Sequence, residues 1–166
     1  LVGKAGSGKS LLSIAAGIEQ TLHKNALYKR FVVIRPVMPL GRDIGFLPGT
    51  IQEKLEPWLA AIVDNLRFLF GNDRSMLEEY IKNGVIEIEA MTFIRGRSIS
   101  NAYILVDECQ NLTNHELKTI LTRVGENTKI VLTGDLDQID SVYLNEMTSG
   151  LTNVVEKMKD QDISGH

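Results

Sequence analysis

At 166 residues, with 43% hydrophobic and 23% charged side chains, the chain has the size and make-up of one soluble globular domain, which excludes disorder and two large cores. No apolar stretch approaches the roughly 20 residues of a membrane-spanning helix and no targeting segment opens the chain, so we expect a cytoplasmic protein with no membrane partner. A net charge of -3 leaves room only for a local nucleic-acid surface, and the single Cys109 can build neither an internal disulfide nor a zinc site alone.

The chain opens on Leu1-Val2 and passes at once into Gly3-Lys4-Ala5-Gly6-Ser7-Gly8-Lys9-Ser10. This octet fits GxxxxGK[ST], and Leu11, Leu12, Ile14, Ala15, Ile18 and Leu22 recur behind it at helical spacing, predicting a helix over about 9–23. In such a loop glycines let backbone amides curl around anionic oxygens, the helix start adds its positive dipole end, and Lys9 neutralises the terminal phosphates. Gly3 to Leu11 are therefore the candidate contacts to ATP, with Ser10 a candidate ligand to Mg2+. A chain that starts two residues before this loop, and stops after a helix where an alternating fold would place a strand, predicts a domain over 1–166 clipped at both ends.

Phe31-Val32-Val33-Ile34 is an apolar β-branched run ended by Pro36 and reads as a buried strand. Residues 37–50, with three Gly and two Pro, read as an extended surface loop. From Ile51, a stripe of Leu55, Trp58, Leu59, Ile62, Val63, Leu66 and Leu69 predicts a helix closed by Gly71, with a kink or a second helix start at Pro57. A short helix over 75–82 stops at Asn83-Gly84, and Val85 to Glu89 alternates as a strand with one wetter face. Tyr103 to Val106 predicts a strand buried on both faces. Thr113 and Glu116 form a capping box for a helix carrying Leu117, Ile120, Leu121 and Val124 and closed by Gly125. Lys129 to Thr133 reads as another buried strand, followed by a last helix over about 149–159. This alternation predicts one α/β domain, a mostly parallel sheet with helices on both faces.

Two further clusters sit where open α/β sheets bind ligands, just past the carboxyl ends of strands. Asp107-Glu108 follows the Tyr103 strand: Asp107 is suited to hold magnesium directly or through water, and Glu108 to orient or deprotonate an attacking water. Taken alone, an acidic turn would be the blander explanation; paired with the Gly-rich loop, the functional one prevails. After the Lys129 strand comes Thr133-Gly134-Asp135-Leu136-Asp137-Gln138, where the Gln138 amide is a candidate γ-phosphate sensor, against the alternative of a loop capped by Asp135.

GKAGSGKS, IRPVMPLGRDIGFLPGTIQEKLEPW, MTFIRGRSISNAYILVDECQN and KIVLTGDLDQID together closely resemble the PhoH-like ATPases. The resemblance covers nearly the whole chain, and LGRDIGFLPG and RGRS are more specific than the Gly-rich loop alone. HELKTILTRVGENTKIVLTGD looks closer to the branch in which an N-terminal PIN nuclease domain precedes this module. The resemblance implies a RecA-like P-loop core akin to superfamily one helicases, with ATP hydrolysis coupled to RNA binding or unwinding. It implies the magnesium and water-activating pair on Asp107 and Glu108, and a Gly-Asp-x-x-Gln motif on Gly134, Asp135 and Gln138. Cys109 departs from the family's usual Ala, a small-for-small change. The family's downstream segment, with its own strand and arginine, lies beyond the last residues here, which puts self-sufficient catalysis in question.

Loops leaving strands near the ATP site are where helicase-like cores grip nucleic-acid backbones, which singles out Arg35 and Arg42 in one segment and Arg95 and Arg97 in another. Single-stranded RNA is the expected partner, with Phe46 or Phe93 offering stacking; the alternative is that these arginines pair with acids or reach a neighbouring subunit's nucleotide. A single RecA-like half lacks the second half that normally supplies a transition-state arginine. A homo-oligomeric ring, a hexamer by the family's pattern, would supply it from Arg95, Arg97 or Arg123. His23, His115 and His166 are scattered and read as caps or surface residues, and the stripe around Trp58 as core. A regulatory module that switches shape with ATP and recruits a nuclease or another protein is the second hypothesis. A small-molecule kinase is disfavoured, because Glu108 is set to activate water, and guanine specificity lacks an Asn-Lys-x-Asp.

Overall fold

A computed structural model of the chain describes residues 1–36, 51–71, 73–91, 98–140, 143–162 and 164–165, with the backbone alone for 51–56. Its sheet contains four parallel strands in the order β2-β1-β3-β4: β1 (Arg30–Arg35), β2 (Ile86–Ala90), β3 (Ala102–Val106) and β4 (Lys129–Leu132). The helices are α1 (Lys9–Leu22), α2 (Ile51–Phe70), α3 (Arg74–Lys82), α4 (Asn114–Leu121) and α5 (Gly150–Met158). The α/β class and the parallel pairing predicted from the sequence are both present, with helices on both faces of the sheet.

Side chains alternate across the two central strands, because successive residues of a strand point to opposite faces. Phe31, Val33, Tyr103 and Leu105 pack with Ile14 of α1, Ile62 and Leu66 of α2 and Leu77 of α3. Val32, Ile34, Ile104 and Val106 pack instead with Leu117 and Ile120 of α4 and Leu151 of α5. Each face thus has its own helical cover, and all five residues of β3 are buried. Full burial of each such aliphatic or aromatic side chain contributes about 1.5–3 kcal/mol, so this double cover is the main source of the fold's stability.

Local signals explain most element ends. The Asp73 carboxylate accepts from the Met76 amide to start α3, and the Ser149 hydroxyl accepts from the Leu151 amide to start α5. Thr113 and Glu116 satisfy each other's amides reciprocally at the start of α4, an arrangement worth about 1 kcal/mol.

Three expectations are corrected. Of the two outcomes weighed at Pro57, a kink or a second helix start, the second start does not occur: α2 runs as one helix through Pro57, which is exposed. α4 stops at Leu121, before Val124, which instead forms an isolated parallel bridge with Ile99. β4 is only partly buried and begins on an exposed Lys129, because its neighbour on the outer side is a single parallel bridge between Val2 and Gly134. The surface loop expected over 37–50 lies outside the described residues.

Candidate functional site

Parallel strands present all their carboxyl ends at one edge, and here that edge gathers segments far apart in sequence. The Leu1-Val2 stretch lies beside the end of β4: the Leu1 nitrogen donates to the Leu132 carbonyl at 2.7 Å, and the Gly3 amide to the Gly134 carbonyl at 3.2 Å. β4 therefore separates the segment entering the Gly-rich loop from β3, which ends in Asp107-Glu108. The loop then turns into α1 through Gly6 and Gly8, both at positive φ (72° and 81°), a region that a side chain at either position would strain. Gly8 caps α1 with no side-chain hydrogen bond, so the first-turn amides stay available to an anion. Lys4, Ala5, Gly6 and Ser7 are exposed, while Gly3, Gly8, Lys9, Ser10 and Leu11 are half-buried. The Lys9 ammonium folds back over the loop and donates to the carbonyls of Gly3 (2.5 Å) and Lys4 (2.8 Å).

The two motifs meet in a direct bond: the Ser10 hydroxyl donates to Asp107 Oδ1 at 2.7 Å, across 97 residues of sequence. Thr133 donates a second hydroxyl hydrogen bond to the same oxygen, also at 2.7 Å. Asp107 is buried, and its other oxygen, Oδ2, is a buried acceptor without a hydrogen-bond partner among the described residues. A buried carboxylate oxygen left unsatisfied is costly unless something else comes to it. Beside the Ser10 hydroxyl, it is the donor set that a magnesium ion takes from protein when phosphates and water supply the remaining ligands. The residues present therefore fit that ion.

Glu108 adopts a left-handed backbone (φ 57°, ψ 40°), a conformation costing a non-glycine residue about 1–2 kcal/mol. It turns the chain sharply out of β3 into a single 3-10 turn, Cys109–Asn111. The Gln110 side chain in that turn is fully buried and uses both amide protons and its oxygen. It donates to Glu108 Oε2 at 2.5 Å and to the Gln138 carbonyl at 3.0 Å, and it accepts from the Asp135 amide at 3.1 Å. Asn111 accepts from the Asp140 amide at 2.8 Å. Gly134 permits this closeness: a Cβ there would lie 2.6 Å from Leu151 Cδ2 and 2.8 Å from Gln110 Oε1.

Gln138 is thus carried to the same edge, with its side chain exposed and its backbone tied to Gln110. Asp135 is buried and caps its own loop by accepting from the Asp137 amide at 3.1 Å, so the loop is capped as well as placed. Arg35 reaches the acidic pair itself, with one terminal nitrogen 3.6 Å from Asp107 Oδ2 and the other 3.8 Å from Glu108 Oε1. Pairing with acids, one of the two alternatives weighed from sequence, is the arrangement it has. Arg123 stands at the other end of β3, where its carbonyl accepts from the Ile99 amide. Arg42, Arg95 and Arg97, with Phe46 and Phe93, lie outside the described residues.

Cys109 is buried and donates its thiol hydrogen to the Val106 carbonyl at 3.0 Å; burial pushes that thiol well above its ordinary range, which keeps it neutral and inert. Sequence reasoning gave no role to Thr133 or Gln110. The parallel register Val106–Leu132 sets residues 107 and 133 side by side, a pairing that aligned strand ends could have suggested. Gln110 carried no such signal, because its partners depend on the turn that Glu108 starts.

A family model described as PhoH-like protein matches residues 1–165. The chain is 54% identical over 167 residues to a Bacillus subtilis protein called Protein PhoH2, covering 99% of this chain and 38% of that relative. It is 38% identical to Protein PhoH2 of Mycolicibacterium smegmatis, covering 100% of this chain and 37% of the relative, and 36% identical to a PhoH-like protein of Bacillus subtilis, covering 97% and 49%. The chain thus spans less than half the length of these curated relatives. With the P-loop and the paired carboxylates at one sheet edge, and with a family match along nearly every residue, the chain belongs to the PhoH-like family of P-loop proteins.

Proposed function

We propose that this chain is an ATP-binding and ATP-hydrolysing domain that couples hydrolysis to binding or remodelling of single-stranded RNA. The observation that carries the nucleotide half is the 2.7 Å bond between Ser10 and Asp107, because it brings the phosphate-loop hydroxyl and the β3 carboxylate within reach of one ion. The amides of the loop, from Gly3 through Leu11, wrap the phosphates. Lys9 exchanges its carbonyl partners for phosphate oxygens, a swap of neutral acceptors for charged ones that favours the ligand. Ser10 and Asp107 are the side chains that would hold Mg2+, which supplies charge neutralisation at the terminal phosphates. Glu108 faces solvent on one side and Gln110 on the other, so it can accept a proton from, or align, an attacking water. Gln138 reads the terminal phosphate, and Gln110 transmits the change between that loop and Glu108.

RNA binding, a homo-oligomeric ring of six with an arginine supplied across subunits, an accompanying PIN nuclease domain and a cytoplasmic setting are parts of the same proposal, supported by the family membership and by the short span of the chain within its relatives. We read residues 1–166 as one ATPase domain within such a longer protein. Among the described residues no helix is long and apolar enough to cross a membrane. The test is ATP turnover by the full-length protein with and without single-stranded RNA, alongside its mass in solution. Turnover stimulated by RNA and lost in Glu108→Gln supports the proposal. Turnover indifferent to RNA, with ATP-dependent capture of a protein partner, would favour an ATP-switched recruiting module instead.

A further inference from the structure

Arg35 contributes one positive charge to two carboxylates, and neither contact is a formed hydrogen bond. Charge-assisted nitrogen–oxygen bonds close to about 2.7–2.9 Å, whereas Arg35 stands 3.6 Å from Asp107 and 3.8 Å from Glu108. Arg30, on the same strand, reaches 3.0 Å from Glu87, so β1 can support a closed pair where one is built. Among the described residues, no other cation pairs with Asp107 or Glu108, since the Lys9 ammonium is engaged by loop carbonyls. Asp107 Oδ2 is meanwhile buried with no hydrogen bond. Two adjacent carboxylates, one of them buried, would repel each other and lose solvation without a counter-charge.

We propose that Arg35 is a positioning residue that stands in for the divalent metal at Asp107, with Glu108 sharing its charge, and so makes metal binding conditional on nucleotide. The inference rests on the nucleotide-site reading above and deepens it. A bare divalent ion approaching Asp107 Oδ2 would meet the Arg35 guanidinium, whose nitrogen lies 3.6 Å from that oxygen, and be repelled. A nucleoside triphosphate brings enough negative charge for both cations to remain. The loose contacts let Arg35 give way by a small side-chain movement, with no formed hydrogen bond to break. The site thereby stays charged and ordered before ligand arrives, yet holds no free metal.

The test is direct measurement of Mn2+ binding by the full-length protein, from loss of the free-ion electron paramagnetic resonance signal, without nucleotide and, against a protein-free Mn2+ and ATP control that accounts for chelation by ATP itself, with ATP. It compares wild type, Arg35→Met, which keeps the apolar stem without the charge, and Arg35→Lys, which keeps the charge. Wild type and Arg35→Lys should bind Mn2+ only with ATP, while Arg35→Met should bind it without nucleotide at least about tenfold more tightly than wild type, as removal of a like charge a few ångströms away requires. Equal nucleotide-free Mn2+ binding by wild type and Arg35→Met would overturn the inference. So would an equal loss of fluorescent ATP-analogue binding by Arg35→Met with and without metal, because that marks a phosphate contact. Failure of wild type to bind the analogue in any condition would instead overturn the nucleotide reading itself. Arg35→Lys guards against a folding defect in the methionine variant: nucleotide-free Mn2+ binding by Arg35→Lys as tight as that of Arg35→Met, at a wild-type melting temperature, would also sink the idea.

Discussion

Arg30 and Arg35 stand at opposite ends of one strand, and each has acidic neighbours. Arg30 closes on Glu87 at 3.0 Å and also donates to the Ser100 carbonyl at 3.3 Å. Around it Thr128 donates to the Ile99 carbonyl at 3.1 Å and the Asn101 amide to the Glu126 carbonyl at 2.9 Å. At this end the arginine itself is closed onto both a carboxylate and a carbonyl. Five residues on, Arg35 spans two carboxylates without closing on either; Asp107 keeps an unpaired oxygen, and Glu108 holds a strained backbone. Left-handed backbone occurs at both ends, at Asn101 and Asn127 as at Glu108, so what sets the carboxyl edge apart is a loose ion pair beside a buried carboxylate oxygen without a hydrogen bond, as a site awaiting a ligand has. The same residue type is therefore structural or functional according to what its neighbours leave unfinished.

That contrast is sharpest where the chemistry is concentrated. Glu108→Gln removes the proton acceptor and should lower ATP turnover by about two to four orders of magnitude, with the thermal midpoint preserved or raised as the adjacent negative charge goes. Lys9→Ala should cost about as much, through lost phosphate binding, and retained turnover in either would break the assignment. Gly134→Ala is intermediate: its Cβ would press on Leu151 and on the Gln110 oxygen. We expect about 1–3 kcal/mol of destabilisation by urea unfolding, with a fall in kcat as Gln110 shifts from Glu108. Full activity in a destabilised Gly134→Ala would show that Gln110 does not position Glu108. Arg30→Met should be the mildest, about 0–1 kcal/mol for a partly exposed pair, with turnover unchanged. A loss of activity there comparable to that in Glu108→Gln would erase the distinction between the two edges.

Much of this was legible from the sequence because it is local or periodic. The helix behind the Gly-rich loop, the doubly buried β3 and the Thr113–Glu116 capping box each follow from residues within one turn or one strand. Asp107, Glu108 and Gln138 could be singled out as candidates because open sheets put ligands past strand ends. What escaped depends on contacts between distant segments. Thr133 reaches Asp107 only once β3 and β4 are in register, and Gln110 only once the left-handed Glu108 turns the chain. Pro57 suggested a kink or a second helix start from propensity alone, but with Ile62 and Leu66 packed against the sheet α2 continues through it as one helix. Arg35 stands out in the sequence as a candidate RNA contact, with pairing to acids or a neighbour's nucleotide as the alternative; which acids it faces depends on the parallel register of β1 with β3.

A structure with magnesium and a non-hydrolysable ATP analogue tests the central claim most directly. The account predicts phosphates over the amides of Gly6 to Ser10, the Lys9 ammonium withdrawn from the Gly3 and Lys4 carbonyls onto phosphate, and the metal on Ser10 Oγ with Asp107 in contact directly or through one water. A triphosphate bound elsewhere, or a metal remote from Asp107 with Lys9 still on its loop carbonyls, would contradict it.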